Sequence, residues 1–266
     1  MDSIRLFFAF SKVSMLTQME YRMGYLVRML GKLLQFGGGF AVLAIMLFRF
    51  QHIGTWSAHE VLFLYAINSL TYAIAATFTM NIAEISSRIR SGSFDAILTR
   101  PVNPLYLSIC QNASAGYVVN YILGISVMLI AGFNLDISVT FGSMLLLIVS
   151  MLGGVLIHAA ALIASGVPSF WMVRNSSFFR ILYARPSSFV DYPINIYGTA
   201  VQGILTILLP YAFISFYPAG LFLGKAGENL FPVFVYYLSL PVGIILFAGA
   251  YKFWKIGLNA YQSTGS

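Results

Sequence analysis

Hydrophobic residues run along this chain in long blocks rather than in the short alternations of a soluble domain. No Asp, Glu, Lys or Arg interrupts residues 101–135, 137–173, 192–224 or 229–251, and Val61–Met80 is also free of charge. A helix needs ~20 mostly apolar residues to cross a hydrocarbon core of ~30 Å. The pattern predicts an all-α, polytopic membrane protein with about six spans, over 33–50, 60–82, 107–132, 141–165, 198–218 and 231–251. The third opens with an unusually polar half, SICQNASAGYVVN. Pro210 and Pro218 interrupt the fifth. Each removes a backbone donor and obstructs a continuous helix, a break that a bilayer tolerates where protein or a water-filled cavity surrounds it. Tyr197–Gly224 is therefore expected to hold a span followed by a short helix dipping into the outer face.

Ahead of the first span, Arg5, Lys12, Glu20 and Arg22 fall within one broad arc, while Leu6, Phe7, Phe10 and Val13 face elsewhere. That pattern predicts an interfacial helix in Ser3–Arg28, so residues 1–32 are read as interfacial and 33–266 as the spans of a single transmembrane domain. Met1–Leu34 lacks the basic, apolar and small-residue sections of a removable signal peptide in that order.

Composition sharpens the membrane reading. Hydrophobic residues make up 59% of the chain and charged ones 9%, with a mean hydropathy of +0.84. Soluble domains carry ~25% charged residues, so these few charges could not clothe a water-exposed surface. The net charge of +7 does not indicate nucleic-acid binding, because the basic residues are dispersed between spans. Alternating the spans places thirteen Lys and Arg on one side and only Arg49 and Lys225 on the other. The first group includes Arg88, Arg90, Arg100, Arg174, Arg180, Arg185, Lys252 and Lys255, and by the positive-inside rule it predicts both termini in the cytoplasm. Cys110 is the sole cysteine, which excludes an intrachain disulfide and a cysteine-based metal cluster.

The candidate chemistry is sparse. Gly31-Lys32 and Gly224-Lys225 are followed by Leu and Ala, so neither forms a phosphate-cradling G-x-x-x-x-G-K-[ST] loop. His52, His59 and His158 have no acidic neighbours at metal-ligand spacing, and no metal site is expected. Ser108, Asn112, Gly116, Asn120 and Gly124 recur at steps of four, which draws a stripe along one helix face. Asn68, Thr71, Ala75 and Thr79 form a similar stripe, and His158 is the only titratable group inside the fourth span. Such positions serve helix packing, where small residues allow close approach and polar groups bond across the interface. They equally suit the lining of a translocation path, with Asn68, Thr71, Asn112, Asn120 and His158 as its candidates.

Ala83–Leu107 is the most informative stretch. Glu84, Arg88, Arg90, Asp95 and Arg100 crowd into a chain that otherwise avoids charge, interleaved with Ile85, Ile89, Phe94, Ile97 and Leu98. Gly92 breaks a first short helix, and Arg100-Pro101 ends a second, since a residue before proline resists helical geometry. A charged, partly apolar, punctuated loop over 84–104 suits docking of a soluble partner; an ordinary solvated loop is the simpler alternative.

The run IRSGSFDAILTRPVNPL (Ile89–Leu105) resembles the cytoplasmic segment of ABC-transporter permeases of the type-2 exporter class, closest to a compact six-span subfamily. DYPINIYGTAVQGILTILLPYAFISFYPAGLFLG (Asp191–Gly224) is similar to that subfamily's fifth-span region, with its Tyr-Pro start, Leu-Pro-Tyr-Ala-Phe centre and Tyr-Pro-Ala end. The resemblance implies that Ser87–Leu98 is a coupling helix seated in a separate ATPase subunit. Arg88, Arg90, Gly92, Phe94, Asp95, Leu98 and Arg100 would be the coupling residues, with Arg90, Phe94 and Asp95 in contact and Gly92 shaping the turn. It also implies pairing with a second permease copy, the same or related, in the cytoplasmic (inner) membrane. Export, an outer gate near Pro210 and Pro218, and ATP and Mg held by the partner rather than by this chain complete the expectation. The competing readings are a self-contained channel or secondary carrier, which needs no ATPase, and a membrane-embedded assembly or enzyme subunit.

Overall fold

A computed structural model describes residues 22–50, 52–111, 115–135, 140–172, 188–227 and 230–262. Its long elements are helices α1 (Arg22–Phe50), α2 (Ala58–Ala83), α6 (Val118–Phe133), α7 (Phe141–Gly166) and α10 (Ser239–Ala260). Short helices α3 (Ile85–Arg90), α4 (Asp95–Leu98) and α5 (Pro104–Gln111) separate α2 from α6. Helices α8 (Thr199–Gly203) and α9 (Phe216–Phe222) precede α10. A two-stranded hairpin, β1 (His52–Ile53) and β2 (Trp56–Ser57), joins α1 to α2. Among the described residues, four segments are long and apolar enough to cross a membrane: Met23–Leu47, Ala58–Arg90, Phe141–Phe170 and Val233–Ala260.

Cross-helix contacts fix the direction of each helix. Phe36 meets Tyr72 and Phe40 meets Tyr65, so α1 runs antiparallel to α2. Tyr121 bonds Thr77 at 2.8 Å while Gly124 abuts Leu70, which makes α6 antiparallel to α2 as well. Gly154 sits against Thr71 and Gly166 against Ile82, so α7 runs parallel to α2. Gly243 meets Gly153 and Gly257 meets Phe170, so α10 is parallel to α7. One end of the bundle therefore carries the β-hairpin, and the opposite end carries α3 and α4.

The helices α2, α7 and α10 form a slab cemented by backbone proximity. A Cβ on Gly153 would fall into the carbonyl of Ser239, and one on Gly166 into that of Ile82. Small residues that let backbones approach are the usual means of helix association where lipid removes the hydrophobic drive. The outer surfaces remain apolar: Ile122, Ile125 and Leu129 of α6, Leu145 and Ile148 of α7, and Ile244 and Ile245 of α10 are all exposed. Water would not tolerate that surface; hydrocarbon would.

Three expectations are revised. The first span begins earlier than residue 33, because α1 continues unbroken from Arg22; residues 1–21, with most of the expected interfacial helix, lie outside the described residues. The third is divided between α5 and α6. The largest difference is the fifth. Residues 199–222 form not one continuous helix but two segments, Thr199–Leu208 and Tyr211–Phe222, bent by 78°. Both ends return to the hairpin end: Asn195 donates to Thr55 at 3.2 Å, and Lys225 reaches Glu60 at 2.9 Å. Between them Ile214 lies against Gly154, deep beside α7. The cause is local. Pro210 interrupts the backbone ladder, and the preceding turn Ile204–Leu208 is already widened into π geometry. Pro218, in contrast, occupies the first turn of α9, where no intrahelical donor is required.

Candidate functional site

The loop end is built from the top of α2 outward. α2 and α3 together cover 33 residues, or ~49 Å at 1.5 Å per residue. A bilayer is ~40–45 Å thick with its headgroups, so the two helices together are slightly longer than a bilayer is thick. The chain reverses at Gly92, whose φ of +68° is a conformation that favours glycine. α4 follows and ends before Arg100-Pro101. Asn103 then accepts from the amides of Leu105 and Tyr106, opening α5, and donates to Tyr251 at 2.9 Å.

This helical hairpin has two faces. Ile85, Ile89, Phe94 and Ile97 are buried inward, against Ile82, Ile163, Val167, Phe170 and Trp254. Phe94 is 0% exposed; its ring lies 5.6 Å from Phe170, 6.4 Å from Trp254 and 5.2 Å from Tyr261. The Tyr261 hydroxyl donates to Asp95 at 2.7 Å. Burial first, then that bond and the carboxylate's charge, push the Tyr261 phenol up to about 12, so it remains a donor at physiological pH. Arg90, Leu98 and Arg100 face outward, and Arg88 is half-buried. Phe94 and Asp95 thus hold the loop to the slab, whereas Arg90, Leu98 and Arg100 are free to meet another surface.

In the interior, one sequence-predicted group does assemble. His158 Nε2 lies 3.1 Å from the Asn68 side-chain Oδ1, and the Asn68 side-chain Nδ2 donates to Asp191 at 2.7 Å. Tyr72 packs edge-on against His158 at 5.5 Å. This chain of groups ties α2 and α7 to the Ser188–Asp191 turn, at mid-height of α2. Thr71 turns back to the carbonyls of Ile67 and Asn68 in its own helix. Asn120 is fully buried on α6, and neither amide atom finds a partner among the described residues. Asn112 lies outside the described residues.

At the hairpin end, Pro210 sits at the apex of the bent pair and Pro218 at the start of its returning arm. That arm is wholly buried at Phe216, Tyr217 and Ala219. Phe222 stacks on Phe63 at 5.2 Å, and Lys225 caps the return by donating to the Thr55 carbonyl at 2.6 Å.

Sequence reasoning overlooked Asp191, the Glu60–Lys225 pair and the anchors Phe170, Trp254 and Tyr261. Asp191 had a signal: it is the only acidic residue between Asp136 and Glu228, beside a charge-free run. Lys225 had one too, as one of only two basic residues assigned to the outer side. The aromatic anchors had none, since aromatics are 16% of the chain.

Among the described residues no group of His, Cys, Asp and Glu could hold a metal ion. Comparison with curated proteins and with solved structures gives no match. A family model described as "ABC-2 family transporter protein" matches residues 33–265. With all of the described spans beyond the start of α1 inside that match, this chain belongs to the ABC-2 transporter family, as a multi-pass membrane component of an ABC transporter.

Proposed function

We propose that this chain is the permease subunit of an ATP-driven exporter of the cytoplasmic membrane, docking a separate ATPase through Glu84–Asn103. The observation that carries this reading is the two-faced loop: Phe94 roots it in the α2–α7–α10 slab, while Arg90, Leu98 and Arg100 are exposed on its outward face. Movement imposed on such a loop would pass to three long helices at once. ATP and Mg belong to the partner, and a second permease copy, identical or related, completes the path.

Six crossings belong to this reading, and the parallel course of α7 and α10 is compatible with them. Basic residues then favour the loop end as cytoplasmic, with Arg88, Arg90, Arg100, Lys252 and Lys255 there and Arg49 and Lys225 opposite. Pro210 and Pro218 lie in an outer re-entrant element, and Asn68, Thr71, Asn112, Asn120 and His158 stay candidates for the path side of the bundle.

The test is purification of the tagged protein from its native membrane in mild detergent. A stoichiometric ATPase with a phosphate loop is the expected companion. Recovery of a lone, monodisperse chain, with substrate flux in ATP-free liposomes, would establish a channel or carrier instead.

A further inference from the structure

The helical hairpin α3–α4 holds a cavity of about 190 Å³, lined by Arg88, Ser93, Ala96, Ile97 and Arg100. Pockets for drug-sized ligands run to ~300–1,000 Å³, so this one admits a single small group. No Asp or Glu lines it. Among the described residues neither arginine makes an ion pair, the Glu60–Lys225 contact lying at the hairpin end. Asp95, the acid nearest in sequence, accepts instead from Tyr261. The Ser93 hydroxyl is exposed, 2.9 Å from that of Ser91 and 3.4 Å from the Arg88 carbonyl. Two permanent positive charges thus share one small concavity with no acid among its walls.

We infer that this cavity binds a phosphomonoester group, held between the Arg88 and Arg100 guanidiniums with the Ser93 hydroxyl as a further donor. A phosphomonoester carries about −1.5 to −2 charges at neutral pH and three strong acceptor oxygens. It balances both arginines, whereas a carboxylate balances one. Each guanidinium offers a planar pair of donors that phosphate oxygens accept. Half-burial of Arg88 restricts its motion and excludes part of the water that weakens exposed ion pairs. Inorganic phosphate and the terminal phosphate of a lipid headgroup present the same chemistry, and binding studies can separate them. Every donor belongs to this chain, so the site needs no ATPase and stands or falls apart from the permease reading.

Purified wild type, R100Q, R88Q/R100Q and K252Q are titrated calorimetrically with inorganic phosphate in maltoside detergent, with monodispersity by size exclusion as the folding control. The wild type is expected to bind one phosphate per chain. R100Q changes an exposed position and so probes the site without disturbing the fold. Its Kd should rise about tenfold or more, as the loss of a charge-assisted hydrogen bond requires. R88Q/R100Q should lose binding altogether. K252Q removes a positive charge that does not line the cavity and should bind as the wild type does. Acetate should not displace phosphate. Water-soluble dihexanoyl phosphatidic acid then identifies the source. Binding at least about tenfold tighter than phosphate assigns the site to a lipid headgroup, and equal binding assigns it to the free anion. No phosphate binding by the wild type, undiminished binding by monodisperse R100Q and R88Q/R100Q, or acetate binding as tightly as phosphate would overturn the inference. None of these outcomes bears on whether an ATPase co-purifies, which tests the permease reading separately.

Discussion

The two ends of the bundle are closed by different chemistry. At the hairpin end the chain folds back into its own core: Ile214 reaches Gly154, and Phe216, Tyr217 and Ala219 are sealed from solvent. At the loop end a charged hairpin rests on one buried face, with the Phe94 ring at its centre beside Ile85, Ile89 and Ile97. The first arrangement is a plug supported on all sides; the second is a lever rooted along one face. An element that must move with a partner has to be rigid at its base and free on its surface, and only the loop end meets both conditions. The ends share the α2–α7–α10 slab, so whatever tilts the lever also bears on the plug.

Breaking the root should have the largest effect. Phe94→Ala removes a fully buried aromatic and opens a cavity between Phe170, Trp254 and Tyr261. Phe-to-Ala changes in cores cost about 3–5 kcal/mol. Because the loss falls on the loop rather than on the spans, the protein should still insert and remain monodisperse. Trypsin should cut rapidly at Arg88, Arg90 and Arg100, and permease-dependent ATPase activity should collapse. Wild-type protease resistance would show that the loop is held by something other than this ring.

The slab itself can be pried apart next. In Gly153→Val the new side chain drives into the Ser239 carbonyl, where backbone cannot yield as a flexible side chain would. Overpacking of this kind costs about 1–3 kcal/mol or more. A thermal shift in detergent should fall well below that of Gly249→Val, since nothing lies near a Cβ at Gly249. Equal shifts would deny the close α7–α10 contact. Asn68→Ala tests the interior link. It removes the bond to Asp191 and the contact with His158, and unsatisfied buried polar groups cost about 1–3 kcal/mol. Asn68→Asp would be worse than Ala if Asp191 is ionised, because two carboxylates would then face each other.

Much of this was legible in the sequence, and the exceptions have physical causes. Charge concentration, Gly92 and Arg100-Pro101 located the loop and its two helices. They could not show that Phe94 points inward, because Phe170, Trp254 and Tyr261 lie 76 to 167 positions further on. The prolines correctly marked a break after residue 197. Hydropathy, however, scores a segment that crosses and one that folds back alike, since both are buried from water. The decisive information was at the ends, where Asn195 and Lys225 both reach the 52–60 region. Asn68 and His158 stood out as polar residues within spans, but their link through Asp191 joins positions up to 123 residues apart.

The smallest effect should come from the clasp at the hairpin end, and its size separates plug from latch. Lys225 contacts Glu60 at 2.9 Å and the Thr55 carbonyl at 2.6 Å, and lies 5.4 Å from the Trp56 ring. Glu60 has a second duty, accepting from the Ser57 amide as the return half of the capping box that starts α2. Lys225→Ala leaves that duty intact, and Glu60→Gln largely preserves it, because glutamine serves in a capping box too. A double-mutant cycle on these two changes therefore isolates the ion pair. Exposed pairs contribute about 0.2–1 kcal/mol; with side chains 17% and 14% exposed, this one should fall near the top of that range and weaken with salt. A coupling energy of that size, read from melting in detergent, fits an end held mainly by the buried arm Phe216–Phe222. A coupling of several kcal/mol would mean that the ion pair is the latch, and the hairpin end would then depend on one contact where the loop end rests on a buried face.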